Sequence, residues 1–200
     1  MNFLAHLLLS GDNERVILGN YAGDFIKGRL TVERTVNWDQ DYLLGLRLHR
    51  YIDSFTDAHP AVREAKKMVS RLFGKLSGII IDIYFDYFLA KHFFEISGQD
   101  LTFYAQQMYG VIERNENFLP AEMKPMLRSM IRQDWLAGYA TFEGIDLTFQ
   151  RMSGRASYLE PIRYAGLELR ENELFYEKCF LQFYPQLSLA ADNFIRTGHS

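Results

Sequence analysis

Residues 77–93, SGIIIDIYFDYFLAKHF, decide how the whole chain folds. An unbroken apolar run with β-branched residues at 79–81 reads as a buried strand or as a buried helix, and periodicity alone does not separate the two. No other segment offers a partner strand. Ile83, Tyr87, Ala90 and Phe94 recur at three- and four-residue intervals, the spacing of one helical face. The stretch is therefore expected to be a helix, and the fold class all-α. Asp82 and Asp86 then stand one turn apart in the most hydrophobic part of the chain. Buried like charges repel unless something positive lies between them.

On either side of this stretch, apolar residues keep the helical period. They do so in Phe3, Leu4, Leu7 and Leu8, in Val16, Ile17, Tyr21 and Phe25, in Tyr42, Leu43, Leu46 and Ile52, and in Val62, Ala65, Val69 and Phe73. Further patterns cover 103–112, 126–135, 142–152 and about 171–195. Breakers fall between them: Ser10-Gly11-Asp12, Gly28, His59-Pro60, Ser97-Gly98, Pro120, Gly144, Gly154 and Pro161. Pro60, Pro120 and Pro161 suit the first turn of a helix, where the missing N–H has no helical partner to lose. Pro185 lies inside the last pattern and is expected to kink or divide it near Tyr184. With no repeat and no Pro-, Gly- or Ser-rich linker, residues 1–200 are expected to form a single helical bundle.

Composition narrows the function classes. Of 200 residues, 48% are hydrophobic and 24% charged, the balance of a globular chain with a substantial core. A net charge of −3 argues against a nucleic-acid partner. Nothing approaches the roughly 20 apolar residues of a membrane span. The opening, MNFLAHLLLSGDNERV, lacks a basic leader and its apolar run is interrupted by His6, so a cytoplasmic location is expected. The single cysteine, Cys179 in EKCFLQFY, is expected to be a core thiol. Basic residues concentrate in AVREAKKMVSRLFGK, where Arg63, Lys66, Lys67, Arg71 and Lys75 face Glu64 alone. Nothing in the sequence fixes an oligomeric state.

The segment LHRYIDSFTDAHP, residues 48–60, places His49, Asp53 and Asp57 four apart. Residues i and i+4 of a helix stack on one face, close enough for two side chains to reach one ion. A solvated face with weak surface pairs would give the same spacing. Other segments carry similar groups. GNYAGDFIKG puts Asn20 and Asp24 four apart with Lys27 a turn further, on an otherwise apolar helix. His6 is embedded in NFLAHLLLS. Buried acids and imidazoles on four helices need compensation, which one or two divalent ions would supply. Histidine and carboxylate ligands without thiolates favour Mn, Fe, Mg or Zn. His59 is expected to be a cap or loop residue, and His199 a residue of the tail. GKLSG lacks the spacing of a phosphate loop, and MSGRAS is most simply a turn.

Taken together, MNFLAHLLLS, GNYAGDFIKG, GLRLHRYIDSFTDAHP, DIYFDYFLAKHF and QFYP resemble the acyl carrier protein phosphodiesterase family over nearly the whole chain. That family is similar to the HD-type metal-dependent phosphohydrolases, so the resemblance implies an all-helical, HD-domain-like bundle with Mn²⁺, or Fe²⁺ or Mg²⁺, at its site. It implies removal of 4′-phosphopantetheine from holo-acyl carrier protein. Carried over by segment, it implies His6, Asp24, His49, Asp53 and Asp86 around the metal, with Asp82 and His92 close by. No histidine here is followed directly by aspartate, so the adjacent pair that names the HD group is absent. Within that reaction, Lys27, Arg47 or Arg50 could add positive charge at the phosphate, and Asp82 or His92 could protonate the leaving serine oxygen. Carrier proteins are acidic, so Arg63, Lys66, Lys67, Arg71 and Lys75 are a candidate docking surface. Two other readings stay open: hydrolysis of a nucleotide or other small phosphoester, and a non-catalytic helical binding protein whose buried polar groups pair with one another.

Overall fold

The structure is a computed structural model, which describes residues 1–198; His199 lies outside the described residues. Helices α1 (Phe3–Leu8) and α2 (Glu14–Ala22) lead into a 3₁₀ turn, Gly23–Phe25, and a short α3 (Val32–Thr35). The long α4 (Gln40–Ala58) and α5 (Pro60–Phe73) follow, then α6 (Ser77–Lys91), α7 (Phe93–Ser97) and α8 (Leu101–Arg114). After two 3₁₀ turns come α9 (Lys124–Arg132), α10 (Trp135–Gly138) and α11 (Phe142–Ser153). A 3₁₀ stretch, Ser157–Tyr164, precedes α12 (Ala165–Glu171) and the closing α13 (Glu173–Thr197). Among the described residues there is no strand, as the sequence led us to expect, and no helix is long and apolar enough to cross a membrane.

The deciding stretch forms α6, which is buried nearly all round from Ile80 to Ala90. A helix covered on every side has no polar face, so its sequence carries no amphipathic signal, and this is why it could pass for a strand. It packs against α1, α5 and α13, with Phe85 and Phe88 against Phe180 of α13. Cys179 is buried in the same helix, and burial pushes its thiol up to about 11, as suits a core thiol.

Caps written in the sequence set the starts of the site-bearing helices. The Asn13 side chain accepts from Arg15 N and Val16 N at the start of α2, and Asp39 accepts from Tyr42 N at the start of α4. Pro60 opens α5, where the His59 side chain accepts from Ala61 N. The other proline expectations need correction. Pro120 only precedes the 3₁₀ turn Ala121–Met123, and Pro161 sits in the middle of the 3₁₀ stretch. Pro185 does not divide α13. Its ring removes the bond to the Leu181 carbonyl, but Phe180, Phe183, Tyr184 and Leu187 are buried around it and hold one continuous helix. Gly144 does not break the chain either; it lies in the first turn of α11, capped by Thr141.

Helices α2 and α4 make the closest crossing. A methyl on Gly19 would run into the backbone at Tyr42, Gly45 and Leu46, and one on Gly45 into the backbone at Val16, Gly19 and Asn20. Two glycines facing each other let the helix backbones touch, which no larger residue allows. Replacing Gly45 by alanine should therefore destabilise the protein by about 3 kcal/mol, the upper range for overpacking. For a chain of this length that is a fall in Tm of roughly 6–12 °C. An unchanged Tm for Gly45→Ala in thermal denaturation would mean that the helices do not cross at this contact.

Candidate metal centre

The glycine crossing sets Asn20 of α2 beside His49 of α4 and His6 of α1. The two imidazoles stack, with ring centroids 4.1 Å apart and planes 20° from parallel. Nδ1 of His49 lies 2.8 Å from the Asn20 backbone oxygen. A carbonyl only accepts, so His49 donates from Nδ1. The Asn20 side-chain NH₂ donates to the His6 carbonyl at 2.8 Å and to Ser10 Oγ at 2.9 Å. That fixes the amide with Oδ1 toward His6, whose Nδ1 is 2.7 Å away and must also donate. Each ring in its neutral form then presents a bare Nε2 lone pair on its far side, the tautomer that binds metals.

Those Nε2 atoms face the same carboxylate. His6 Nε2 is 3.3 Å from Oδ1 of Asp53, and His49 Nε2 is 3.2 Å from its Oδ2. Asp24 Oδ1 lies 3.6 Å from His49 Nε2. Ligand atoms of His6, His49 and Asp53 all fall within 4.8 Å of one another, so this group can hold a metal ion. The imidazoles form a buried floor, while the side chains of Asp53 and Asp24 are 45% and 67% exposed at the rim. Gly23 fixes the floor: any side chain there would strike the His49 ring.

Electrostatics set the charge balance of the cluster. Burial lowers the proton affinity of His6, and the neighbouring His49 lowers it further. Burial also opposes charge on His49, but its contacts with Asp24 and Asp53 outweigh that and push it up to about 9. Burial would raise Asp53, yet the two imidazoles hold it well below the usual carboxylate range. One proton on His49 thus compensates the carboxylates when no cation is bound. A divalent ion would supply that positive charge using the lone pairs of both rings, and the nitrogen–carboxylate donor set suits Mn, Fe, Mg or Zn.

The other sequence candidates take different places. Asp24 lies on the 3₁₀ turn after α2 and not on one α-helical face with Asn20, because the chain tightens at Gly23. Asp86 is fully buried in α6 and outside the cluster of ligand atoms. Its two oxygens accept from Asn2 N at 3.1 Å and Leu4 N at 2.8 Å, so it anchors the start of α1, the helix that carries His6. Burial raises this carboxyl to about 7. Asp82 pairs with the Met1 amino group at 2.8 Å. His92 stands about 15 Å along α6 from Asp82, with Nε2 2.7 Å from Glu177 of α13, apart from the cluster. Arg50 donates to the Ile26 and Gly28 carbonyls and so ties down the loop after Asp24; with Arg47 it lines a separate open groove. Lys27 is exposed on that loop. Asp57 does not extend the ligand row; it accepts from Lys66 at 2.6 Å.

Lys66, one of the candidate docking cations, lines a cavity of about 350 Å³ beside the cluster, together with Asp24, Asp53, Asp57 and Asp82. Sequence reasoning also passed over the glycines. Gly19 and Gly23 stand four apart, and Gly45 stands four before His49. Small residues at helical spacing next to candidate ligands were the available signal.

The chain matches the family model described as acyl carrier protein phosphodiesterase over residues 1–187. It is 28% identical over 194 residues to the acyl carrier protein phosphodiesterase of Photorhabdus laumondii, covering 96% of each chain. It is 29% identical over 188 residues to that of Pectobacterium atrosepticum, covering 94% of this chain and 95% of the relative. The Shigella boydii protein of the same name is 28% identical over 197 residues, covering 96% and 98%. No solved structure matches the chain. A model spanning nearly the full length, with full-length relatives of one name, means that this chain belongs to the acyl carrier protein phosphodiesterase family.

Proposed function

We propose that this protein is a metal-dependent phosphodiesterase of the cytoplasm that hydrolyses the bond between serine and 4′-phosphopantetheine in holo-acyl carrier protein. Apo-protein and free 4′-phosphopantetheine are the products. The observation that carries the reading is the convergence of the Nε2 atoms of His6 and His49 and the Asp53 carboxylate on one point, with Asp53 opening onto an acidic cavity. His6, His49 and Asp53 would hold the ion, with Asp24 beside them. A divalent cation there supplies Lewis acidity toward the phosphoryl group and a water acidified to act as nucleophile at neutral pH. Mn²⁺, Fe²⁺ or Mg²⁺ suits these donors.

The chain's own residues do the rest. Asn20 keeps the Nδ1 protons of both rings turned away from the substrate. The cavity wall carries one lysine, Lys66, positioned by Asp57, and its ammonium is suited to a phosphoryl oxygen or to the departing serine oxygen. That is the part assigned from sequence to Lys27, Arg50, Asp82 or His92; of these, only Asp82 borders the same cavity. On α5, Arg63, Lys67 and Arg71 are exposed beyond Lys66, as is Lys75 in the turn that follows the helix. They form a cationic approach for the acidic carrier protein to the cavity mouth.

Holo-acyl carrier protein incubated with the enzyme and Mn²⁺ should lose its prosthetic group by mass spectrometry. If only small phosphoesters are cleaved, the carrier-protein substrate is wrong. Asp53→Asn should reduce turnover roughly a hundredfold or more, since even residues that merely support a ligand cost 10–100-fold. Mn²⁺ at about 100 times its Kd should stabilise wild type by about 2.7 kcal/mol, or roughly 5–10 °C in Tm, and Asp53→Asn by far less. Equal shifts in both proteins would remove Asp53 from the site.

The metal-free protein should also respond to pH. His49 is raised from 6.5 to about 9, so its stabilising effect is present in full below 6.5 and is lost as pH rises toward 9. Tm in chelator should therefore fall over this interval, and added Mn²⁺, which displaces the His49 proton, should flatten the fall. A Tm that rises from pH 6.5 to 9 without metal would contradict the assignment.

Charge reversal of Lys67, Arg71 and Lys75 to glutamate should lower kcat/KM for the carrier protein roughly tenfold at low salt and flatten its salt dependence. An unaltered salt dependence would show that docking uses another face.

A further inference from the structure

Asp24 borders a second cavity, of about 220 Å³, whose character is different. Its walls include Phe3 of α1, Phe25 of the 3₁₀ turn, Met126 of α9 and Trp135 of α10. Phe3 lies three residues before His6, and Phe25 directly follows Asp24, so the elements that shape the metal centre also shape this chamber. Two guanidiniums, Arg151 and Arg155, enter its lining from the end of α11. The Arg151 guanidinium sits 5.3 Å from the centre of the Trp135 ring. Arg151 is half-buried against that ring, and Arg155 is exposed at the rim. A guanidinium stacked on an aromatic face still offers its N–H donors at the edge of its plane.

A phosphodiester at the metal has two ester arms, and they differ in bulk. The serine arm belongs to a folded protein and must remain outside. The other is a thin chain whose first segment beyond the phosphate is the pantoyl group, a dimethyl-substituted carbon followed by a hydroxyl and an amide carbonyl. Apolar walls with one or two donors match that order of groups. We propose that the cavity between α1, α10 and α11 receives the pantoyl segment of the phosphopantetheine arm. Phe3, Phe25, Met126 and Trp135 enclose the dimethyl carbon, and Arg151 donates to the hydroxyl and carbonyl oxygens. The inference rests on the carrier-protein reading above and deepens it, because it fixes the substrate's direction. The arm runs into the apolar chamber past Asp24, and the serine faces the acidic chamber with Lys66 and the basic helix.

Trp135 is a built-in reporter, since the chain has only one other tryptophan, Trp38. In a Trp38→Phe protein, titration with pantetheine, which lacks the phosphate and needs no metal, should change Trp135 emission saturably. Thr148→Met, which fills the chamber, and Arg151→Met, which removes the donor, should each weaken this binding roughly tenfold. In the same two variants the ratio of kcat/KM for holo-acyl carrier protein to that for bis(p-nitrophenyl) phosphate should also fall roughly tenfold, the discrimination one well-placed contact provides. Emission unmoved by pantetheine, or an unmoved ratio in a wild type that does cleave holo-acyl carrier protein, would overturn the assignment of the cavity alone. A wild type that cleaves the small diester and leaves holo-acyl carrier protein intact would overturn the function from which it starts.

Discussion

Backbone contact between Gly19 and Gly45 is the constraint on which the candidate metal centre depends. Ordinary helix pairs are held about 8–10 Å apart by the side chains between them. Here α2 and α4 have none at the crossing, and a methyl on either glycine would meet the other helix's backbone. The closeness is what allows the Asn20 carbonyl, one residue after Gly19, to accept from His49, one turn after Gly45. One turn beyond Gly19, Gly23 leaves room for the His49 ring. Three glycines therefore position one imidazole, with no contact to any substrate.

His6 is positioned by a different device. It comes from a helix of only six residues, too short to be stable alone. Asp86 secures it by accepting the Asn2 and Leu4 N–H groups, two of the donors that a helix start leaves without partners. The Asn20 amide then orients the ring, while Ser10 returns a hydrogen bond to the His6 carbonyl at 2.7 Å. No buried side-chain nitrogen or oxygen among the described residues lacks a partner. A network satisfied this fully is rigid, and that rigidity holds the two Nε2 atoms at one point.

The helical class and most helix positions were legible because amphipathic periodicity survives in surface helices such as α5. It failed to decide α6, where burial on all sides erases the pattern. Ligand candidates were legible as residue types out of place: His6 in an apolar run, His49 and Asp53 one turn apart. What could not be read was which buried acid does which work. Asp86 and Asp53 look alike in sequence, each an aspartate on a helix of mixed or apolar character. One is placed against N–H groups and the other against imidazoles, and that difference arises only from how α1 lies across α4 and α6. The place of Lys66 was hidden for a related reason. It belongs to a basic helix, yet its position on the inner edge turns it toward Asp57 and the cavity, while Lys67 next to it faces solvent.

Asp24 lines both chambers, and its place in the chain explains why they differ. The turn Gly23–Phe25 puts a carboxylate next to an aromatic ring with no intervening residue, so the wall changes from acidic to apolar within one peptide unit. At three residues per turn, the 3₁₀ turn sets Asp24 and Phe25 about 120° apart around its axis, so Asp24 reaches both chambers while Phe25 lines the apolar one. Its cap at Ile26 hands the chain to a loop that Arg50 ties down through the Ile26 and Gly28 carbonyls. Arg50 thus contributes to the site at one remove, by fixing the partition between a compartment suited to phosphate chemistry and one suited to holding an apolar arm. In the reaction proposed above, a divided site of this kind would separate two demands. The cation and the acidic groups need water and charge around them, whereas recognition of a thin, mostly uncharged chain needs their exclusion.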